Sequence, residues 1–120
     1  MYTIRKKFSF SAAHQLHGLI EGHPCGRLHG HNYEVEVVLS DINLNEHDFV
    51  LDYRELDLFK QMLDTELDHR NLNDIFNFHT TAENLAKYFF EWCLKRWVDT
   101  WMVRVSETPK TWAEYTQHGI

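Results

Sequence analysis

At 120 residues, 43% hydrophobic and 25% charged, the chain is long enough for one domain with a real core and too short for two ordinary ones. Its formal net charge of -6 excludes the broad basic surface that nucleic-acid binding requires. No apolar run approaches the roughly 20 residues that span a bilayer, and MYTIRKKFSF lacks the apolar centre of a signal peptide, so a single cytoplasmic domain over residues 1–120 with no membrane partner is expected.

In chain order, Tyr2 to His17 alternates, with Phe8, Phe10, Ala12 and His14 on one face of a predicted strand. A second strand is predicted from about Arg27 to Ser40, where Tyr33, Val35, Val37 and Leu39 alternate with Asn32, Glu34 and Glu36. GLIEGHPCG between them carries glycine and proline breakers and reads as a loop. Asp52 with Glu55 has capping-box spacing ahead of a helix whose apolar stripe is Leu56, Phe59, Met62, Leu63 and Leu67. Asp68-His69-Arg70-Asn71 follows, then a loop through Asn77. A second helix is predicted from Thr80 or Thr81 to near Arg96, with Thr80 and Glu83 again spaced as a capping box and Leu85, Tyr88, Phe89 and Trp92 buried. Trp101, Val103 and Val105 mark a third strand, and Trp112 to Tyr115 a fourth beyond Pro109.

The resulting order ββααββ predicts a two-layer α+β domain, a four-stranded antiparallel sheet with two helices on one face. Such a sheet leaves two long unpaired edges, and closing several copies into a barrel would remove them, so a homo-oligomeric ring is expected.

Nine histidines are present, and the position of three carries the chemistry. His29 and His31, two apart on a strand, point to one face about 7 Å apart along the backbone. His14, inward on the preceding strand, supplies a third imidazole if the two strands pair in register. Three neutral imidazoles suit zinc, and three protein ligands leave a fourth position open, the pattern of a catalytic centre. Cys25 lies four residues before His29 on a glycine-flanked loop, either a fourth ligand or a reactive thiolate beside the metal. Cys93, within a helical apolar pattern, reads as a small buried hydrophobe, and a disulfide with Cys25 is not expected. Asp68 beside His69 can form an acid/base pair only if the helix has ended there. Glu107 points inward at the end of the third strand, where a carboxylate can accept two hydrogen bonds from an amino-imidazole-like edge.

Cys25-Gly-Arg-Leu-His29-Gly-His31 resembles the C-x-x-x-H-G-H motif of the 6-pyruvoyltetrahydropterin synthase superfamily, especially its bacterial 6-carboxytetrahydropterin synthase branch. FSFSAAHQL around His14 resembles that family's first metal-ligand segment, LDHRNLND its LDH-x-x-LN segment, TAEN at Thr81 to Asn84 its helix-start motif, and Ser106 to Thr108 its anchoring-glutamate segment. His79 and Thr80 depart from the residues common before TAEN. The resemblance implies one zinc per subunit on His14, His29 and His31, and a catalytic set of Cys25, Asp68 and His69 assembled across a subunit boundary. Glu107 would hold the pterin ring, with Thr81, Glu83 and Arg27 as further substrate-binding candidates and Arg5, Lys6, Lys7 or Arg27 as candidates for the triphosphate. It implies the tunnelling fold, trimeric barrels stacked into hexamers, and a reduced pterin triphosphate as the small-molecule partner. The short spacing from Cys25 to His29 favours the carboxy branch, which serves 7-deazaguanine and queuosine synthesis. The competing expectations are triphosphate elimination to 6-pyruvoyltetrahydropterin, and a noncatalytic zinc- or pterin-binding module.

Overall fold

The computed structural model describes residues 1–117. Two long strands dominate it, β1 (Tyr2–His14) and β2 (His29–Asp41), paired antiparallel along their whole length from Tyr2 opposite Asp41 to His14 opposite His29. The alternation read from the sequence is the alternation of burial. Phe8, Phe10, Ala12 and His14 of β1, with Tyr33, Val35, Val37 and Leu39 of β2, face the core, while Ser9, Ser11, Asn32 and Glu34 face away.

Three further strands complete the sheet: β3 (Arg70–Asn71), β4 (Thr100–Thr108) and β5 (Thr111–Tyr115), in the order β3-β1-β2-β4-β5. The expected four antiparallel strands are present, and β3 is an addition. It is a two-residue parallel bridge, with Arg70 opposite Ala12 and Asn71 opposite Ala13, that covers only the end of the β1 edge.

Helices α1 (Asp57–Met62), α2 (Leu72–Ile75) and α3 (Ala82–Leu94) complete the set. Leu56, Phe59, Leu63, Leu67, Leu85, Phe89 and Phe90 join the inward strand residues in one core. Phe59 sits at its centre, edge-on to Phe8, Phe89 and Trp92 at centroid distances of 5.1, 5.5 and 5.5 Å.

Local chemistry shifts several expected boundaries. The first helix is assembled from a 3₁₀ turn at Tyr53–Leu56, α1, and a π turn at Leu63–Leu67. Its capping box does not form, because the Asp52 side chain accepts from the Arg54 amide at 2.9 Å and the Arg54 guanidinium clasps the same carboxylate. At α3 the cap is Thr81, which accepts from the Asn84 amide at 3.2 Å; Thr80 is fully buried and turned to another task. The segment after His69, expected as loop, holds β3 and α2, with Asn71 capping the latter through the Asn73 amide. The first strand stops at His14 rather than His17.

Among the described residues no helix is long and apolar enough to cross a membrane. Cys93 is fully buried and burial pushes its thiol far above the ordinary value, as expected of a cysteine used as a hydrophobe. Phe59→Ala is expected to cost about 3–5 kcal/mol in urea unfolding; a loss below about 1 kcal/mol would mean the site collapses without a cavity.

Candidate metal centre

The β1–β2 register that places His14 opposite His29 and Ala12 opposite His31 brings three imidazoles to one end of the core face. The ring centroids of His14 lie 4.6 Å from His29 and 5.2 Å from His31, and those of His29 and His31 are 4.7 Å apart. Glu107 arrives from the end of β4, and one ligand atom from each of the four residues lies within 4.8 Å of the others.

The hydrogen bonds around these rings orient them. His14 Nδ1 lies 2.8 Å from the Thr80 carbonyl and His29 Nδ1 lies 2.7 Å from the Arg27 carbonyl. A carbonyl only accepts, so both Nδ1 atoms carry the proton and both Nε2 atoms present lone pairs. Those two Nε2 atoms are 3.0 Å apart. Two lone pairs at that separation repel unless a proton or cation stands between them. His31 Nε2 is buried and receives no hydrogen bond, although Glu107 Oε2 lies 3.0 Å away, and the same oxygen is 3.1 Å from His14 Nε2. Three converging imidazole nitrogens with a carboxylate are the donor set of a divalent transition metal, and zinc fits them.

The group of four shifts the proton affinities of two of its members. The His14 contact holds the Glu107 carboxyl below its ordinary range despite partial burial, with the charges of His31, His14 and His29 adding to the effect. Burial lowers the affinity of His31 for a proton, more than the Glu107 carboxylate raises it, and the neighbouring imidazoles lower it further. Beneath the rings stands Tyr33, completely buried, stacked on Phe10 at 4.8 Å and with its hydroxyl unpartnered. Burial and Glu107 both push that phenol far above the ordinary tyrosine value. Tyr33 was read from the sequence only as a core residue, and no spacing signal marks its hydroxyl.

The remaining expected residues fall in three places. Cys25 sits in a 3₁₀ turn, Pro24–Gly26, half-buried and outside the four-residue ligand group. The helix has indeed ended before Asp68, and Asp68 Oδ2 lies 2.9 Å from His69 Nδ1 while Oδ1 accepts from the Ser11 amide at 2.8 Å. That amide, and then His69, hold the Asp68 carboxyl below its ordinary value. His69 adopts a left-handed backbone, φ 60, pinned by its amide donating to the Ser11 carbonyl, and its side chain is 82% exposed. Glu107 and Glu83 line a small cavity of about 170 Å³ with Thr111 and Trp112, at the start of α3. Thr81 serves as the helix cap, and Arg27 lines a separate cavity of about 280 Å³ formed by the β1–β2 loop.

Fold and site together define an α+β protein with three histidines and a carboxylate grouped closely enough to hold a metal at the end of its sheet. The backbone is similar to that of Caenorhabditis elegans 6-pyruvoyl tetrahydropterin synthase, with a TM-score of 0.82, 32% identity, and coverage of 96% of this chain and 94% of that one. A Haemophilus influenzae 6-carboxy-5,6,7,8-tetrahydropterin synthase is 30% identical over 98% of this chain and 100% of its own, and an Archaeoglobus fulgidus relative is 36% identical over 88% of each. Residues 3–118 match the 6-pyruvoyl tetrahydropterin synthase family, and the chain belongs to it. The sheet and helices are accordingly those of the tunnelling fold.

Because the Tyr33 hydroxyl has no partner, Tyr33→Phe should leave the metal-free protein as stable or up to about 1 kcal/mol more stable in thermal or urea melts. A loss of about that size would show that the hydroxyl is hydrogen-bonded in solution.

Proposed function

We propose that the chain is a zinc-dependent 6-carboxy-5,6,7,8-tetrahydropterin synthase. It would convert 7,8-dihydroneopterin triphosphate to the carboxytetrahydropterin with release of acetaldehyde and triphosphate, as a step toward 7-deazaguanine and queuosine. The observation that carries this reading is the convergence of the His14, His29 and His31 Nε2 atoms, two of them aimed by carbonyls at their Nδ1 atoms. Family membership and the carboxytetrahydropterin synthase from H. influenzae support it.

When bound, zinc supplies Lewis acidity toward the hydroxyls of the substrate side chain. The chain's own residues do the rest. The Thr80 and Arg27 carbonyls hold the His14 and His29 rings so that their Nε2 atoms face one point. Cys25, carried on the turn beside β2 and outside the ligand group, would move a proton. Asp68, held below its ordinary value by the Ser11 amide, faces His69 Nδ1 and orients the imidazole, so that its Nε2 would be left to give and take a proton. Glu107 offers a carboxylate to the amino-imidazole-like edge of the pterin, with Glu83 lining the same small cavity. The internal redistribution of hydrogen reduces the ring at the expense of the side chain, so no redox cofactor is needed.

His69 is exposed and lines a cavity that Cys25 does not line, which supports assembly of the catalytic set between copies of the chain. The outer edges of β1 and β5 are the edges a ring would pair, consistent with a hexamer built as a dimer of trimers in the cytoplasm.

The deciding experiment incubates zinc-loaded protein with 7,8-dihydroneopterin triphosphate, identifies the products by mass and traps acetaldehyde. Carboxytetrahydropterin with acetaldehyde is expected. Pyruvoyltetrahydropterin without acetaldehyde would assign the activity of the C. elegans relative's name instead, and unchanged substrate would leave a binding module. Two variants separate ligand from base. His29→Ala should lose stoichiometric zinc and turnover together, whereas Cys25→Ala should keep zinc and lose at least about 100-fold in rate. Zinc loss from Cys25→Ala would instead make the thiolate a ligand.

A further inference from the structure

Tyr33 is completely buried, its hydroxyl bonds nothing, and the chemistry proposed above gives it no part. A phenylalanine of the same shape would fill the space without a stranded donor, so packing alone gives the oxygen no role. The strand pattern shows what it stands beside. Tyr33 follows His31 by two on β2 and shares its face, with ring centroids 5.4 Å from His31 and 5.9 Å from His14. On the neighbouring strand, Glu34 pairs with Ser106 as the last rung between β2 and β4. The next residue on each strand, Tyr33 and Glu107, turns to the face that carries the imidazoles. Phe10, stacked on the Tyr33 ring at 4.8 Å, fixes its plane.

We infer that Tyr33 is a positioning residue for Glu107: when the imidazoles hold a divalent ion, its hydroxyl donates to the Glu107 carboxylate and keeps that carboxylate out of the ion's fourth position. The inference rests on the zinc reading above and is independent of which pterin is turned over. Elimination among the neighbours carries it. Phe10 offers no acceptor. A neutral imidazole has one nitrogen lone pair, and an ion held by His14 and His31 takes it from each. Glu107 keeps acceptor capacity on two oxygens.

The exchange of partners is balanced. Glu107 Oε2 meets the His14 and His31 nitrogens at 3.1 and 3.0 Å, and an ion on those nitrogens removes both contacts at once. The Tyr33 hydroxyl then offers a bond of the stronger, charge-assisted kind. Burial first, and then the Glu107 charge, raise the proton affinity of the phenol, so the carboxylate already acts on it. The other buried hydroxyls at this end are engaged: Thr80 Oγ1 lies 3.3 Å from His14 Nδ1, and Ser106 Oγ donates to the Thr108 carbonyl.

The test loads the protein with Co2+, whose visible spectrum reports the ligands at the ion, and titrates azide as a small anion for the fourth position. Wild type, Tyr33→Phe, Glu107→Ala and the double variant are compared, with bound cobalt measured in each. Wild type should take up cobalt stoichiometrically and bind azide with a change in visible absorption. Tyr33→Phe keeps the ring and should keep cobalt, yet lose about 10-fold or more in azide affinity as Glu107 moves into the fourth position. The double variant should bind azide within about 2-fold of Glu107→Ala, because the hydroxyl acts only through the carboxylate. A purely structural tyrosine would move the melting temperature and leave the azide affinity unchanged. Equal azide affinity in wild type and Tyr33→Phe, cobalt-loaded wild type that refuses azide, or an azide loss that persists without Glu107 overturns the inference and leaves the zinc reading standing. Wild type that takes up no cobalt overturns both together, whereas the expected azide pattern without turnover of the pterin triphosphate upholds the role of Tyr33 and removes the proposed reaction alone.

Discussion

The pairing of β1 with β2 in one register is the constraint on which the rest of the molecule depends. A slip by one residue would send every side chain of one strand to the opposite face. It would move Phe8 and Phe10 out of the core and, at the same time, take His14 away from His29 and His31. Core and histidine cluster are therefore specified by the same hydrogen-bond ladder, and the apolar residues of the strands position the imidazoles at their ends.

Strand pairing alone leaves the imidazoles free to rotate, and two loops remove that freedom. The turn after Cys25 delivers the Arg27 carbonyl to His29, and the approach to α3 delivers the Thr80 carbonyl to His14. The Thr80 placement explains why Thr81 becomes the helix cap: one threonine cannot both bury itself against His14 and stand at the N-terminus of α3. On the other edge, the Ser11 backbone accepts from His69 and donates to Asp68, so a single residue of β1 ties the Asp68–His69 pair to the sheet. The left-handed backbone at His69 costs of order 1–3 kcal/mol, and these two bonds offset it.

The histidine triad was legible because period-two alternation is strict in a half-buried strand and because His29 and His31 sit two apart. The long strands, the two longer helical segments and the break before Asp68 were legible for the same reason, as runs with one clear period. What escaped were features decided by tertiary competition. Asp52 prefers Arg54 to a capping box, β3 exists only because β1 has an open edge, and the broken α, 3₁₀ and π turns before Asp68 share one apolar stripe that a sequence reads as a single helix. The unpaired Tyr33 hydroxyl had no signal at all, since a tyrosine in a core strand carries the same pattern whether or not its oxygen is bonded.

Glu107, expected to hold a pterin ring, has its Oε2 3.1 and 3.0 Å from the His14 and His31 nitrogens. The two roles are linked by charge. If the three imidazoles held a divalent ion, Glu107 would either join them as a ligand or turn into the small cavity it already lines with Glu83 and Trp112. Ligation would close the fourth position and favour a structural ion, whereas the turn would leave that position open and free two carboxylate oxygens for an N–H-bearing ligand. Glu83 beside that cavity favours a ligand with several N–H donors over an isolated buried acid, since two carboxylates brought together without donors repel.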